Sequence, residues 1–170
     1  MTYPANIRVQ RGLCLIDQIF SVKIVSFDGF NFAASGFFMV IADILKRDEG
    51  KTLEFKRDLS SPKGLMKTLV AFSNTSGGRV IVGIDDNKRV VGVDRPLDEE
   101  ERLCSLIADS IKPRLVPNVE LVTVEGKTLL IVEVFLSNSR PHYLAAEGPD
   151  QGVYVRLGSS NRQADRELVG

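Results

Sequence analysis

Four carboxylates in the first two thirds of the chain are the residues most suited to hydrolytic chemistry. Glu49 and Glu54 lie just before and within a predicted strand, and Asp85 and Asp86 directly follow another. A carboxylate within an apolar strand is costly to bury unless it is paired or bound to a cation. Converging carboxylates offer the hard oxygen ligands that Mg²⁺ and Mn²⁺ prefer, and such an ion can activate water against a phosphodiester. Two alternatives stay open: Glu54 pairs with Lys56 or an arginine, and Asp-Asp-Asn is an ordinary turn.

A second set of residues could contact phosphates and bases. Arginines occur together with tyrosines near the end of the chain, and lysines cluster nearer its start. This combination suits phosphate contact with base stacking. The residues predicted to bind nucleic acid are Lys56, Arg140, His142, Tyr154 and Arg156. The alternative is a solvated surface of mixed charge, and we expect His142, the only histidine, to make a structural or ligand hydrogen bond rather than to act as a general base.

The segment Asn74–Gly78 places two glycines between a predicted helix and a predicted strand. Exposed amides in a glycine turn can bind phosphate. These glycines follow a helix, however, whereas a P-loop precedes one and ends in Gly-Lys-Ser/Thr. The segment is therefore predicted to cap the helix C-terminus rather than to bind a nucleotide.

Composition narrows the class of protein. The 170 residues include 22 Lys plus Arg and 22 Asp plus Glu. Bulk positive charge is therefore excluded as the means of holding nucleic acid, although a local basic face is not. Hydrophobic residues make up 44% of the chain and support a packed core. Cys14 and Cys104 are too few for a disulfide scaffold or a four-thiolate zinc site, which indicates reduced thiols and a cytoplasmic location.

The elements that must position these residues alternate regularly from Met39 onward. Helices are predicted over Val40–Lys46, from Ser60 or Ser61 to about Asn74, from Asp98 to Pro113, and after Asn161, where the last helix is cut short. Strands are predicted over Thr52–Lys56, Arg79–Ile84 with Arg89–Val93 as a hairpin, Val119–Val124 with Thr128–Leu136 as a second hairpin, and Gly152–Leu157. This order predicts a single α+β domain, with a mixed, largely antiparallel sheet of two hairpins packed against helices.

Residues 1–38 do not match the rest and are predicted to be an atypical N-terminal extension of the domain at 39–170. Residues 1–41 carry five charged residues and six of the nine phenylalanines, without a clear helical or strand period. The longest uncharged stretch, Gly29–Ala42, is shorter than the roughly 20 residues that a membrane span needs, so no membrane partner is expected. An appended strand, for example Phe20–Ser26, is one alternative, and a biological start at Met39 is another.

Six short segments, in order, resemble the Schlafen AlbA-like domain family. They are Glu54–Lys56, Ala71–Gly78, Val82–Asp86, Val91–Val93, Arg140–Tyr143 and Tyr154–Asn161. Each segment alone is a weak signal, but six in the expected order are specific. The resemblance extends over about residues 40–166 and leaves out 1–38.

The resemblance implies a nucleic-acid-binding module, most simply the DNA-binding domain of a transcriptional regulator. In animal relatives a doubled version of the domain cuts structured RNA, and its catalytic carboxylates match Glu49, Glu54 and Asp85, with Asp86 as the alternative to Asp85. The second hypothesis is therefore an endoribonuclease that holds Mg²⁺ or Mn²⁺ with Glu49, Glu54 and Asp85. The relatives' zinc ligands are missing here, and one copy would have to form a homodimer to complete a doubled cleft. A catalytically silent interaction domain is the third hypothesis.

Overall fold

The computed structural model describes residues 43–124 and 126–164, which form helices and a mixed sheet packed together. Residues 43–45 are helical. The helices that follow are α1 (Pro62–Thr75), α2 (Pro96–Ser110) and α3 (Gly148–Gln151). The strands are β1 (Leu53–Lys56), β2 (Gly78–Val82), β3 (Ile111–Lys112), β4 (Asn118–Val124), β5 (Lys127–Val134), β6 (Tyr143–Leu144), β7 (Tyr154–Leu157) and β8 (Ser160–Gln163). The predicted single-domain α+β class is confirmed.

Within residues 43–124 and 126–164 the main sheet has four strands in the order β1-β2-β5-β4. β1 and β2 are parallel and are connected through α1, whereas β2 with β5 and β5 with β4 are antiparallel. The sheet is therefore mixed and largely antiparallel, as predicted. Two small antiparallel pairs, β3 with β6 and β7 with β8, lie outside it.

Both faces of the central strands are buried. Val80 and Val82 point into the larger core, which contains the apolar faces of α1 and α2. Ile81, between them, points into a second core with Phe55 and Ile44. Because successive side chains of a strand point to opposite faces, a strand that is covered on both sides is apolar at every position. This explains why Val80, Ile81 and Val82 are all apolar, the pattern that predicts the strand.

Helix α1 follows the prediction closely. Pro62 occupies its first turn, and Leu65, Leu69 and Phe72 are buried in the core. The helix is followed by Gly77, whose φ of +72° is a left-handed conformation that favours glycine. The Gly77 amide donates to the Phe72 carbonyl oxygen over 2.8 Å. Gly77 therefore ends the helix as predicted, whereas Gly78 has no positive φ and is already the first residue of β2.

The first predicted hairpin is corrected by the structure. In the described part of the chain residues 89–93 form no strand. Ile84 and Val90 make an isolated bridge, and the amides of Val91 and Gly92 donate to the Gly83 carbonyl oxygen over 2.8 and 2.9 Å. The reason is that β2 lies inside the sheet, with β1 on one side and β5 on the other. Both edges of β2 are occupied, so the chain leaves the sheet after Val82.

The predicted last helix is wrong within the described residues. Ser160–Gln163 is strand β8, which pairs with β7 so that Leu157 lies opposite Ser160. Gly158 and Ser159 form the two-residue connection, and Gly158 has a φ of +59°. The turn residues were recognised, but they close a hairpin instead of starting a helix. Residues 165–170 lie outside the described part.

The start of α2 differs slightly from the prediction, and several predicted segments lie outside the described residues. Helix α2 begins at Pro96, two residues before the predicted Asp98. The predicted extension 1–38, the strand at Phe20–Ser26 and the first residues of the helix Val40–Lys46 lie outside the described residues. None of the helices in the described part is long and apolar enough to cross a membrane.

Candidate nucleic-acid interface

The carboxylate of Glu54 is paired with two cations. Arg156 Nη2 lies 2.6 Å from Glu54 Oε2, and Lys56 Nζ lies 2.6 Å from Glu54 Oε1. Only 7% of Glu54 and 2% of Arg156 are exposed. Strands β1 and β7 thus place opposite charges together in the interior, and the ion-pair alternative for Glu54 is confirmed. Charges that are removed from water require such partners.

The remaining donors of Arg156 are also used. Its Nε donates to the Gly50 carbonyl oxygen over 3.1 Å, and its Nη1 donates to Asn161 Oδ1 over 2.8 Å. The guanidinium carbon lies 5.2 Å from the centre of the Phe72 ring. Asn161 in turn donates to Thr68 Oγ1 over 2.9 Å. In this conformation Arg156 joins α1, β1, β7 and β8 and does not present its charge at the surface.

Asp85 is held within its own turn. Its Oδ1 accepts the backbone N–H groups of Asn87 and Arg89, each over 2.9 Å. Its Oδ2 accepts from Arg89 Nε over 2.9 Å and forms an ion pair with Arg89 Nη2 at 2.9 Å. These contacts, led by the Arg89 backbone amide, lower the pKa of Asp85. The neighbouring Asp86 is exposed.

The predicted carboxylates do not fit a divalent cation. Glu49 Oε1 accepts the Phe55 backbone N–H over 2.8 Å, and both oxygens of Glu54 are engaged by cationic side chains. Asp85 Oδ2 is paired with the Arg89 side chain, and Asp85 Oδ1 accepts the backbone N–H groups of Asn87 and Arg89. In the described residues no group of three or more His, Cys, Asp or Glu side chains is arranged to hold a metal ion. An ion at this place would have to displace buried or well-formed contacts, so we derive no metal chemistry from it.

His142 is a buried structural residue. Its Nδ1 lies 2.8 Å from the Pro113 carbonyl oxygen and its Nε2 lies 2.6 Å from Ser137 Oγ. A carbonyl oxygen can only accept, so Nδ1 carries the proton, and Nε2 of the neutral ring accepts the Ser137 hydroxyl. Burial lowers the pKa of His142, against the opposing effect of the Pro113 hydrogen bond. The neutral ring thus connects two loops.

Asn74 links His142 to Tyr154. Its side chain accepts the His142 amide over 2.8 Å and donates to the carbonyl oxygens of His142 and Tyr154 over 2.9 and 3.0 Å. The Tyr154 hydroxyl donates to Glu147 Oε2 over 2.6 Å, and Lys67 Nζ lies 4.6 Å from the ring centre. The ring is 7% exposed and has a cation above it, so it is not an open stacking surface.

Three exposed cations lie within two residues of Pro113 or His142 along the chain. Lys112, Arg114 and Arg140 are exposed, and none forms an ion pair with any residue of the described ranges. Lys112 lies directly opposite Tyr143 in the β3–β6 pair. Arg114 follows Pro113, and Arg140 lies two residues before His142. We call Lys112, Arg114 and Arg140 the basic trio.

Sequence reasoning found one member of the basic trio and missed two. Arg140 was predicted from its position among family-like residues. Lys112 and Arg114 are separated from it by more than 25 positions in the chain and lie in a segment without a recognised motif. Their proximity depends on the pairing of β3 with β6, which is too short to be read from alternation.

Comparisons with known proteins agree with this fold. A family model described as Schlafen, AlbA_2 matches residues 49–165. Among solved structures, the N-terminal domain of a RecG-related protein from Nitrosomonas europaea is 33% identical over 72% of this chain and 91% of that chain, with a TM-score of 0.57. A protein from Corynebacterium diphtheriae is 22% identical over 81% of this chain and 28% of that chain, with a TM-score of 0.57, and shows a likeness of fold alone. No curated protein matches the chain.

Proposed function

The chain belongs to the Schlafen AlbA_2 family, and from that premise we propose that it is a nucleic-acid-binding domain that contacts DNA as part of a cytoplasmic transcriptional regulator. The observation that carries the proposal is the basic trio, which provides three exposed cations without acidic partners in the described residues. The name of the similar Nitrosomonas europaea protein refers to a DNA helicase, which supports DNA as the nucleic acid.

Because the net charge of the chain is zero, its affinity for a nucleic-acid backbone depends on where exposed positive charges are grouped. Lys51, Arg57 and Arg162 are also exposed and form no ion pair within the described ranges, but they are not grouped with the trio in the chain or across the β3–β6 pair. Several other exposed cations are neutralised by an ion pair, for example Arg95 with Asp98 and Arg102 with Glu99. The basic trio is not, so it can exchange counterions for phosphate oxygens, which is the main source of affinity for a nucleic-acid backbone. The geometry therefore favours phosphate contact at the β3–β6 pair.

The buried residues near the trio have a supporting role in this proposal. Arg140 contacts phosphate directly. His142, Tyr154 and Arg156, which sequence reasoning placed in the interface, hold the β6 and β7 segments through their hydrogen bonds and act on binding through the surface that they support. Lys56 is only partly exposed, and it shares the single carboxylate of Glu54 with Arg156.

The test is the salt dependence of binding. Anisotropy of labelled duplex DNA is titrated at several salt concentrations with the wild type and with Lys112→Ala, Arg114→Ala and Arg140→Ala. Each lost phosphate contact should reduce the slope of log K against log salt by about 0.9. Arg102→Ala is the matched control because it removes the same charge from an exposed ion pair on α2. Wild-type slopes in all three trio variants would overturn the proposal.

Incubation with RNA and DNA, with and without metal, separates the other hypotheses. Labelled tRNA and duplex DNA are incubated with the protein in Mn²⁺ and in EDTA. Tighter binding of tRNA would replace DNA with RNA as the ligand, and metal-dependent cutting would restore the nuclease hypothesis, which no contact in the described residues favours.

Light scattering of the complex counts the copies bound and tests the predicted homodimer.

A further inference from the structure

A groove of about 260 Å³ lies where helix α1 turns into strand β2 and strand β5 ends. Its lining includes the backbone of Gly77 and Gly78, the side chains of Arg47, Arg79 and Glu133, and the consecutive residues Phe135 and Leu136. This volume is slightly below the roughly 300–1,000 Å³ of ordinary ligand pockets. The groove therefore suits one flat ring system rather than a large molecule.

Phe135 is an unusual wall for such a groove because 65% of it is exposed. It directly follows Val134, which pairs with Gly78 in the sheet. Two residues later, the Ser137 amide donates to the Ser73 carbonyl oxygen over 3.0 Å. The backbone is thus held on both sides of an exposed aromatic ring. An exposed ring on a held backbone can stack on a ligand with little loss of conformational freedom.

The charge of the groove favours an anionic ligand. Arg79 Nε and Nη2 both lie 2.7 Å from Glu133 Oε1, so this pair is neutral. Arg47 is exposed and has no ion-pair partner in the described ranges, so it leaves the lining with a net positive charge. The lining therefore contains both an aromatic residue and an arginine without an ion-pair partner in the described ranges, a combination that can stack a base and contact its phosphate.

The groove is connected to the basic trio through one short segment. Ser137 Oγ lies 2.6 Å from His142 Nε2, and Arg140 lies between these two residues in the chain. The groove lining and Arg140 are thus carried by the same segment of the chain. From this arrangement we infer that Phe135 is a stacking platform for an unpaired base, so that the domain prefers single-stranded nucleic acid or a duplex end over an intact duplex. The inference rests on the proposed function and adds the class of ligand.

The experiment compares two single-stranded oligonucleotides of equal length and charge, one with bases throughout and one with abasic sites. The wild type should bind the strand that carries bases more tightly, by about five-fold or more. Phe135→Leu keeps an apolar side chain but removes the aromatic face, and it should abolish that preference. Phe135→Tyr should restore it. Leu157→Ala is the control, because Leu157 is 59% exposed and lies on β7, outside the groove lining.

The salt slope separates this inference from the proposed function. Phe135→Leu should lower affinity without changing the slope, whereas Arg114→Ala should reduce the slope by about 0.7 on a single strand. If Phe135→Leu discriminates the two strands as the wild type does, the stacking inference fails while the proposed function stands. If the wild type binds neither strand nor duplex, the proposed function itself fails.

Discussion

Arg156 and Glu54 are 102 positions apart in the chain, yet Arg156 Nη2 donates to Glu54 Oε2 over 2.6 Å in the interior of the domain. The contact joins β7 to the sheet strand β1. It also explains why a carboxylate is tolerated between the buried side chains of Leu53 and Phe55. A residue that was predicted to contact phosphate is, in this conformation, the internal counterion of a residue that was predicted to bind metal.

We predict that removing either partner of this ion pair is strongly destabilising. Arg156→Met and Glu54→Gln each leave one buried charge without its main partner, which costs about 3–5 kcal/mol of the free energy of unfolding. Lys56→Met is the matched control: its side chain is 34% exposed, and it should cost about 1 kcal/mol or less. Urea unfolding measures all three. If Glu54→Gln is about as stable as the wild type, the ion pair does not have this structural role. Glu54 then becomes a candidate metal ligand of a nuclease again.

We predict that Asn74→Ala destabilises the domain by roughly 2–4 kcal/mol, because it leaves buried backbone groups of His142 and Tyr154 without a partner. Hydrogen exchange of the His142 amide should accelerate in the same variant. Asn118→Ala is the control, since the Asn118 side chain donates to the nearby Glu120 and bonds to no backbone group of the described residues. Equal losses in the two variants would argue against a special role for Asn74.

Glu100 makes stability depend on pH. The residue is 3% exposed on α2, and its Oε1 has no hydrogen-bond partner in the described part of the chain. Burial raises the pKa of Glu100 from 4.5 to about 7. The folded state therefore keeps a proton that the unfolded state loses above about pH 4.5. The stabilisation of the folded state that comes from protonated Glu100 is fully present below pH 4.5 and is lost as the pH rises toward 7.

It follows that Glu100→Gln stabilises the protein at high pH. At pH 8 the variant should be more stable than the wild type by about 2–3 kcal/mol, and near pH 4.5 the difference should largely vanish. Thermal unfolding at both pH values measures the effect. The exposed neighbour Glu101 supplies the control substitution, Glu101→Gln. A pH-independent difference between the wild type and Glu100→Gln would refute the titration of a buried carboxyl.

Two glycines should respond to alanine in opposite directions. A Cβ on Gly78 would lie 2.8 Å from two ring atoms of Phe72, so Gly78→Ala should destabilise by about 1–3 kcal/mol. A Cβ on Gly64, in helix α1, would meet only Ser61 Oγ at 3.5 Å. Gly64→Ala should therefore stabilise by about 0.5–1 kcal/mol through the unfolded state and helix propensity. Urea midpoints of the two variants test this sign reversal.

The predicted extension can be tested by deletion. Because every family-like segment follows Met39, a chain that begins at Met39 should keep the thermal midpoint of the full chain. A fall of more than about 4 °C, corresponding to roughly 1 kcal/mol, would show that residues 1–38 pack against the domain.

The sequence by itself determined the elements whose local pattern is strong. Structure is indicated through nearby residues by the apolar stretch Val80–Ile84 in the predicted strand, by the spacing of Leu65, Leu69 and Phe72, and by the glycine at the end of α1. The α+β class and the hairpin of β4 with β5 follow from the same local rules. The family could also be recognised, because its motifs are short segments in a defined order.

Only the tertiary structure decided which charged residues meet. Whether Glu54 binds a cation, pairs with Lys56 or pairs with a distant arginine depends on where β7 lies relative to β1, and no local pattern encodes that. The same holds for residues 89–93, which lose their strand because β2 already has two neighbours. The placement of Lys112 and Arg114 beside Arg140 also depends on a two-residue strand pair. Local rules define elements, whereas pairing between distant segments is selected by the burial and charge of the whole domain.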